Sequence, residues 1–141
     1  MPRILVIDDD DMVRGTIKAI LERAGHEVTL AVDGEDGLRQ FQRAGCDLVV
    51  CDIFMPNKEG IATLRELRHL DAAVPVITMT GGSPSAGRTG PTAYADYLNM
   101  STLLGATRTI HKPFRASELI ALVQECLDEQ KPPTPPPPGG D

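Results

Sequence analysis

The chain has 141 residues, a formal net charge of −6 and three cysteines. This length is enough for one domain to bury a hydrophobic core without disulfides or a structural metal. The acidic balance, with no basic patch in the sequence, argues against nucleic acid as a direct partner. The cysteines lack CxxC spacing and no apolar run reaches membrane-spanning length, so we expect a cytoplasmic protein with reduced thiols and no membrane contact.

Short apolar runs and helical patterns alternate along the chain. Apolar runs bounded by Gly, Pro, Asp or charged residues predict five strands at residues 4–7, 28–32, 48–51, 74–79 and 107–110. Apolar residues at steps of three and four predict helices near residues 13–24, 38–45, 61–70, 91–104 and 119–127. Because the strands are continuously apolar, we expect them to be buried on both faces, in a doubly wound α/β domain with a parallel sheet.

Two segments differ from this alternation. Residues 81–91 read GGSPSAGRTGP, which is too long and too rich in Gly, Ser and Pro for an ordinary turn, so we expect a flexible loop. Residues 131–141 read KPPTPPPPGGD, which predicts an extended, disordered tail. The predicted organisation is therefore one domain over residues 1–130 and a proline-rich tail over residues 131–141.

Three aspartates follow predicted strands whose carboxyl ends meet at one edge of the sheet. Asp8 and Asp9 follow the first strand and Asp52 follows the third. Clustered carboxylates repel one another unless some are protonated or a cation lies among them, and oxygen ligands favour a hard cation such as Mg²⁺. We therefore predict a divalent metal site, and we assign Asp10 or Asp11 to capping of the helix that follows.

A hydroxyl and an ammonium are predicted at the same edge. Thr80 ends the fourth strand before two glycines, and Lys112 follows the fifth strand, where Pro113 biases its backbone away from helix. A carboxylate that can attack, carboxylates that hold a cation, a hydroxyl and a lysine together suit phosphoryl transfer to an aspartate.

The segments ILVIDD, DLVVCDIFMP with Gly60 after it, ITMTG and HKPF occur in this order. On these residues the chain resembles the receiver domain of two-component response regulators, over roughly residues 3 to 129. The resemblance implies a flavodoxin-like (βα)5 fold with strand order 2-1-3-4-5. It also implies that Asp52 is the phosphoacceptor, that Mg²⁺ is bound by Asp9, Asp52 and the backbone carbonyl of Phe54, with Asp8 acting through water, and that Thr80 and Lys112 bind the phosphoryl group.

The resemblance further implies partners and a switch. A histidine kinase or a phosphotransfer protein would donate the phosphoryl group, and a downstream protein would bind a face formed by the fourth predicted helix, the fifth strand and the last helix. The protein would catalyse only its own phosphorylation and dephosphorylation, and we expect a single-domain regulator unless the chain is a piece of a longer one. Thr109 occupies the position where the family usually has an aromatic residue, so the switch must work differently here.

Two other functions are compatible with part of the pattern. A haloacid-dehalogenase-type, Mg²⁺-dependent phosphatase also uses a strand-end aspartate as nucleophile, but it has a second aspartate two positions later, where this chain has Phe54. A degenerate receiver that binds partners without being phosphorylated typically lacks an acidic residue or the lysine, and this chain has all of them.

Overall fold

The computed structural model describes residues 1–53, 59–80 and 105–130. The strands within these residues are β1 (Arg3–Ile7), β2 (Glu27–Ala31), β3 (Leu48–Asp52), β4 (Val76–Thr80) and β5 (Arg108–His111). The helices are α1 (Asp11–Arg23), α2 (Gly34–Ala44), α3 (Glu59–Leu70) and α4 (Ala116–Gln130). The predicted loop at residues 81–91, the predicted helix at residues 91–104 and the proline-rich tail lie outside the described residues.

All strand pairs are parallel, and the strand order is β2-β1-β3-β4-β5. This confirms the predicted doubly wound α/β fold and its 2-1-3-4-5 order. The three inner strands β1, β3 and β4 are almost entirely buried, as continuous apolar runs predict. Residues 27–30 of the edge strand β2 instead alternate between exposed and half-buried, because successive side chains point to opposite faces of the sheet and one face is less covered there.

Two hydrophobic clusters lie on opposite faces of the sheet. One cluster joins alternate strand residues such as Val6, Val50 and Met79 to α1 and α4. The other joins Leu5, Cys51 and their alternating neighbours to α3, with α2 packed against it. Helices on both faces leave the carboxyl edge of the sheet as the place where polar strand ends can meet.

The helix ends follow from local capping. Asp10 is the N-cap of α1, where its side chain accepts hydrogen bonds from the backbone N–H groups of Met12 and Val13. This confirms the predicted capping role for one of the two candidate aspartates. The N-cap Asp33 starts α2 at Gly34, before the first residue of the apolar pattern used to predict it. Among the described helices, none is both long and apolar enough to cross a membrane.

Candidate functional site

The acidic residues predicted at the carboxyl edge of the sheet lie together. Asp8 and Asp52 are buried, with 0% and 4% of their surface exposed, and Asp9 is exposed. One carboxylate oxygen from each of these three residues lies within 4.8 Å of the others. This donor set consists of oxygen atoms only, at a spacing that one hard cation can bridge, so it fits Mg²⁺ by its chemistry.

The loop after β1 fixes the orientation of Asp8. Its backbone N–H donates to the carbonyl of Ala31, 3.2 Å away, and its Oδ1 accepts from the backbone N–H of Asp10 at 2.9 Å. The buried guanidinium of Arg14 donates to the Asp8 carbonyl at 2.6 Å and also bonds to Asp11. Arg14 was not predicted as part of the site, although its position one turn into an amphipathic helix that begins at the acidic run was a signal for it.

Lys112 joins the first and third strands. Its Nζ donates to Asp8 Oδ2 at 3.0 Å and to Asp52 Oδ2 at 3.4 Å, with 23% of the lysine side chain exposed. Burial alone would lower the pKa of Lys112, but the charge of Asp52 and the hydrogen bond and charge of Asp8 outweigh it and raise that pKa. The lysine is therefore a fixed positive charge between two buried carboxylates.

Strands β4 and β5 are joined where they enter the site. The backbone N–H of Lys112 donates to the carbonyl of Thr80 at 2.7 Å. The Lys112–Pro113 peptide bond is cis. Thr80 is fully buried, and its Oγ1 lies 3.2 Å from Nδ1 of His111. His111 was not among the predicted site residues, because its contact with Thr80 depends on the register between two strands.

Close packing of α3 supports the end of β3. Gly60 is buried, and a Cβ atom added there would lie 2.5 Å from the carbonyl oxygen of Asp52 and 2.5 Å from Cα of Ile53. Only glycine permits this approach of α3 to the strand that carries Asp52. Phe54, whose carbonyl was predicted as a metal ligand, lies outside the described residues.

Cys51 is buried in β3 beside the acidic cluster. Burial, with a smaller contribution from the charges of Asp52 and Asp8, raises the pKa of its thiol far above the usual value. The thiol therefore stays protonated, and it is not a reactive group of the site.

The fold and the edge residues together define a doubly wound α/β domain with buried carboxylates and a lysine at the strand ends. The family described as response regulator receiver domain matches residues 4–124, and the chain belongs to this family. It is thus a receiver domain of the two-component response regulators, as the sequence motifs predicted.

Similar proteins agree with this assignment. The chain is 34% identical over 123 residues to the transcriptional regulatory protein DltR of Streptococcus agalactiae, covering 86% of this chain and 50% of that protein. It is 34% identical over 126 residues to the transcriptional regulatory protein PrrA of Mycobacterium tuberculosis, covering 89% and 50%. The chain therefore spans about half the length of these curated relatives.

Solved structures give the same fold. A CheY-like receiver domain protein from Methanospirillum hungatei has a TM-score of 0.80 at 30% identity, covering 92% of this chain and 96% of that one. The chemotaxis protein CheY4 of Vibrio cholerae has a TM-score of 0.75 at 26% identity, covering 89% and 98%.

Proposed function

We propose that Asp52 accepts a phosphoryl group from a histidine kinase or a phosphotransfer protein in a Mg²⁺-dependent reaction. The observation that carries this proposal is the buried Asp52 carboxylate at a strand end, 3.4 Å from the Lys112 ammonium and clustered with Asp8 and Asp9. A structural role alone would not favour two buried carboxylates beside a third one, since burying Asp8 and Asp52 costs free energy of desolvation.

In the proposed reaction an Asp52 carboxylate oxygen attacks the phosphorus atom of a phosphohistidine. The new O–P bond forms as the P–N bond breaks, and the electron pair of that bond returns to the imidazole nitrogen of the donor. Lys112 neutralises charge on the phosphoryl oxygens, and the hydroxyl of Thr80 donates a hydrogen bond to one of them. Both are held at the same edge through the Lys112 N–H bond to the Thr80 carbonyl.

Mg²⁺ would be held by Asp9, Asp52 and the carbonyl of Phe54, with Asp8 acting through water, and would supply positive charge that offsets the carboxylates and the phosphoryl oxygens. Asp8 is well placed for a supporting role, since its Oδ1 and Oδ2 already bond to the Asp10 N–H and to Lys112.

We further propose that phosphorylation changes a protein-binding face formed by the predicted helix at residues 91–104, β5 and α4. This proposal is supported by the position of β5, which ends at His111 and is followed directly by Lys112. A change at the site therefore acts directly on this edge strand.

We also propose that the receiver domain spans residues 1–130 and that residues 131–141 form a separate tail.

The test is to incubate the protein with Mg²⁺ and acetyl phosphate and to measure its intact mass. We expect one added phosphoryl group, absent in Asp52→Ala and absent when Mg²⁺ is chelated. Asp71→Ala is the matched control, because Asp71 is an aspartate outside the site that caps its own loop. No adduct and unchanged donor hydrolysis would instead support a degenerate binding domain, and fast donor turnover without an adduct would support a phosphatase.

A further inference from the structure

The hydroxyl of Thr80 is in contact with a side chain on the neighbouring edge strand. Thr80 Oγ1 lies 3.2 Å from Nδ1 of His111, which is its register partner between β4 and β5. Thr80 is fully buried, whereas His111 is exposed on the last strand of the sheet. This one contact therefore runs from the interior of the site to the edge of the molecule.

His111 and Asp52 lie on opposite sides of Thr80. The strand order places β3, which ends in Asp52, on one side of β4, and β5, which ends in His111, on the other. Neighbouring strands are about 4.8 Å apart. A Thr80 hydroxyl directed at His111 is thus turned toward β5, and it must rotate about χ1 to bond to a group carried by Asp52.

We propose that His111 is a positioning residue that holds Thr80 in a resting orientation and is released when Thr80 bonds to the phosphoryl group on Asp52. This inference rests on the proposed function, which places that group on Asp52. Because the two orientations exclude each other, the hydrogen bond to His111 opposes phosphoryl binding. Release of His111 changes the surface of β5, so the state of Asp52 is reported there by an imidazole ring.

The position two residues earlier shows why this role falls to His111. Thr109 Oγ1 lies 3.0 Å from Thr78 Oγ1, its own register partner on β4. That pair has the same cross-strand geometry but does not include Thr80. Thr109→Val therefore provides a matched control, because it removes a hydrogen bond between the same two strands without changing the contact of Thr80.

The test is to titrate the protein with beryllofluoride, a phosphoryl analogue, at pH 8 in the presence of Mg²⁺ and to follow binding by NMR. His111→Gln and His111→Phe place no polar atom at the Nδ1 position, whereas His111→Asn does. We expect the first two variants to bind the analogue about fivefold more tightly, the factor that corresponds to one hydrogen bond of ordinary strength. His111→Asn and Thr109→Val should bind within about twofold of the wild type.

Two further measurements separate this role from a general structural effect. The ring-nitrogen signals of His111 should shift when the wild-type protein binds beryllofluoride, while those of the exposed His69 should not. In a Thr80→Val background, His111→Gln should have no effect on beryllofluoride affinity, because the competing hydroxyl is already absent.

Each outcome decides between clear alternatives. Weaker or unchanged binding by His111→Gln, with the wild type binding normally, would overturn the role of His111 and leave the proposed function intact. An effect of Thr109→Val as large as that of His111→Gln would also overturn it, by showing that any loss between β4 and β5 suffices. A wild-type protein that binds no beryllofluoride would overturn the proposed function and this inference together.

Discussion

Lys112 and Arg68 are partly buried cations at opposite ends of strands β4 and β5, and they have different surroundings. At the carboxyl end, Lys112 contacts the carboxylates of Asp8 and Asp52. At the amino end, the guanidinium of Arg68 in α3 donates to backbone carbonyls, at 2.6 and 2.9 Å for Gly105 and at 2.5 Å for Val74. Burial lowers the pKa of Arg68, whereas the nearby carboxylates raise that of Lys112.

The balance of charge around each cation distinguishes a binding site from a structural contact in this fold. Around Lys112 the carboxylates of Asp8, Asp9 and Asp52 outnumber the ammonium, so this edge still attracts cations. The guanidinium of Arg68 instead bonds to carbonyls from the segments that precede β4 and β5, with a smaller contribution from the charge of Asp71. The carboxyl end is therefore suited to bind ions, and the amino end is a joint between α3 and two strands.

The largest expected effect is on phosphorylation at the carboxyl end. Lys112→Met should lower the rate of adduct formation with acetyl phosphate roughly a hundredfold, the usual cost of removing one group that stabilises a charged transition state. Arg68→Ala should leave the rate within about twofold when measured at a temperature where it stays folded. Intact-mass time courses check both variants, and equal losses would show that the two ends are not functionally distinct.

Packing of α3 against the strand end that carries Asp52 should give the next largest effect. Gly60→Ala places a Cβ against the backbone of Asp52 and Ile53, so we expect a loss of about 3 kcal/mol in unfolding free energy. Gly15 is the matched control, since a Cβ there meets nothing within 4 Å, and Gly15→Ala should raise helix stability by about 1 kcal/mol. Urea denaturation measures both, and a harmless Gly60→Ala would contradict the close approach of α3.

Removing the cation of the amino end should affect stability alone. Arg68→Ala leaves the carbonyls of Gly105 and Val74 without their donor, which should cost about 2 kcal/mol in unfolding free energy. Arg68→Lys should recover less than half of this, because an ammonium cannot reproduce the planar fork. Arg108→Ala, which removes exposed ion pairs with Glu125 and Glu129, should leave the unfolding midpoint nearly unchanged. Equal losses of unfolding free energy in Arg68→Ala and Arg108→Ala would show that the bonds from Arg68 to the backbone carbonyls do not stabilise the fold.

The smallest expected effect is a pH dependence near the amino end of β2. His26 is buried, and its Nδ1 has no hydrogen-bond partner among the described residues. Burial, with a smaller contribution from the N-terminal amine, lowers the pKa of His26 below its usual 6.5. The unfolded chain therefore takes up a proton more readily than the folded one, and stability falls as the pH drops from about 6.5 toward the folded-state pKa.

His26→Leu should lose less stability than the wild type between about pH 7.5 and pH 5.5, because the unfolded variant has no imidazole at this position to take up a proton. His69→Leu at an exposed histidine is the control and should leave the loss unchanged. Urea denaturation at the two pH values measures both variants. If His26→Leu and the wild type lost the same stability on acidification, the lowered pKa would be wrong.

Much of the fold could be predicted because its signals are local. Continuous apolar runs mark buried parallel strands, and the aspartates at their ends mark the carboxyl edge. The start of α2 was missed because Asp33 caps the helix through the Asp36 N–H, so that the helix begins at Gly34, four residues before the apolar pattern that starts at Leu38. Edge strand β2 was predicted as continuously apolar, but its exposed side makes it alternate.

The sequence predicted which residues lie at the candidate site but not which hydrogen bonds hold them there. The predicted residues lie at the carboxyl ends of strands, so the parallel topology alone brings them together. Asp52 and Thr80 are the last residues of their strands, and Asp8, Asp9 and Lys112 come directly after theirs. The bond between Thr80 and His111 joins residues 31 positions apart and depends on strand register, which no periodicity reveals. The contacts of Arg14 and Arg68 with backbone carbonyls depend in the same way on how helices dock onto the sheet.

The four aspartates at positions 8–11 are identical in sequence, but each of them has a different role in the structure. Asp8 is buried against Lys112, Asp9 is the exposed member of the carboxylate cluster, Asp10 caps α1 and Asp11 pairs with Arg14. Because the four residues are identical, deleting any one of them gives the same shorter sequence, in which the position of Asp11 relative to β1 is taken by Met12 and the partner of Arg14 is lost. In comparing such runs between related proteins, register relative to the preceding strand therefore carries more information than the number of acidic residues.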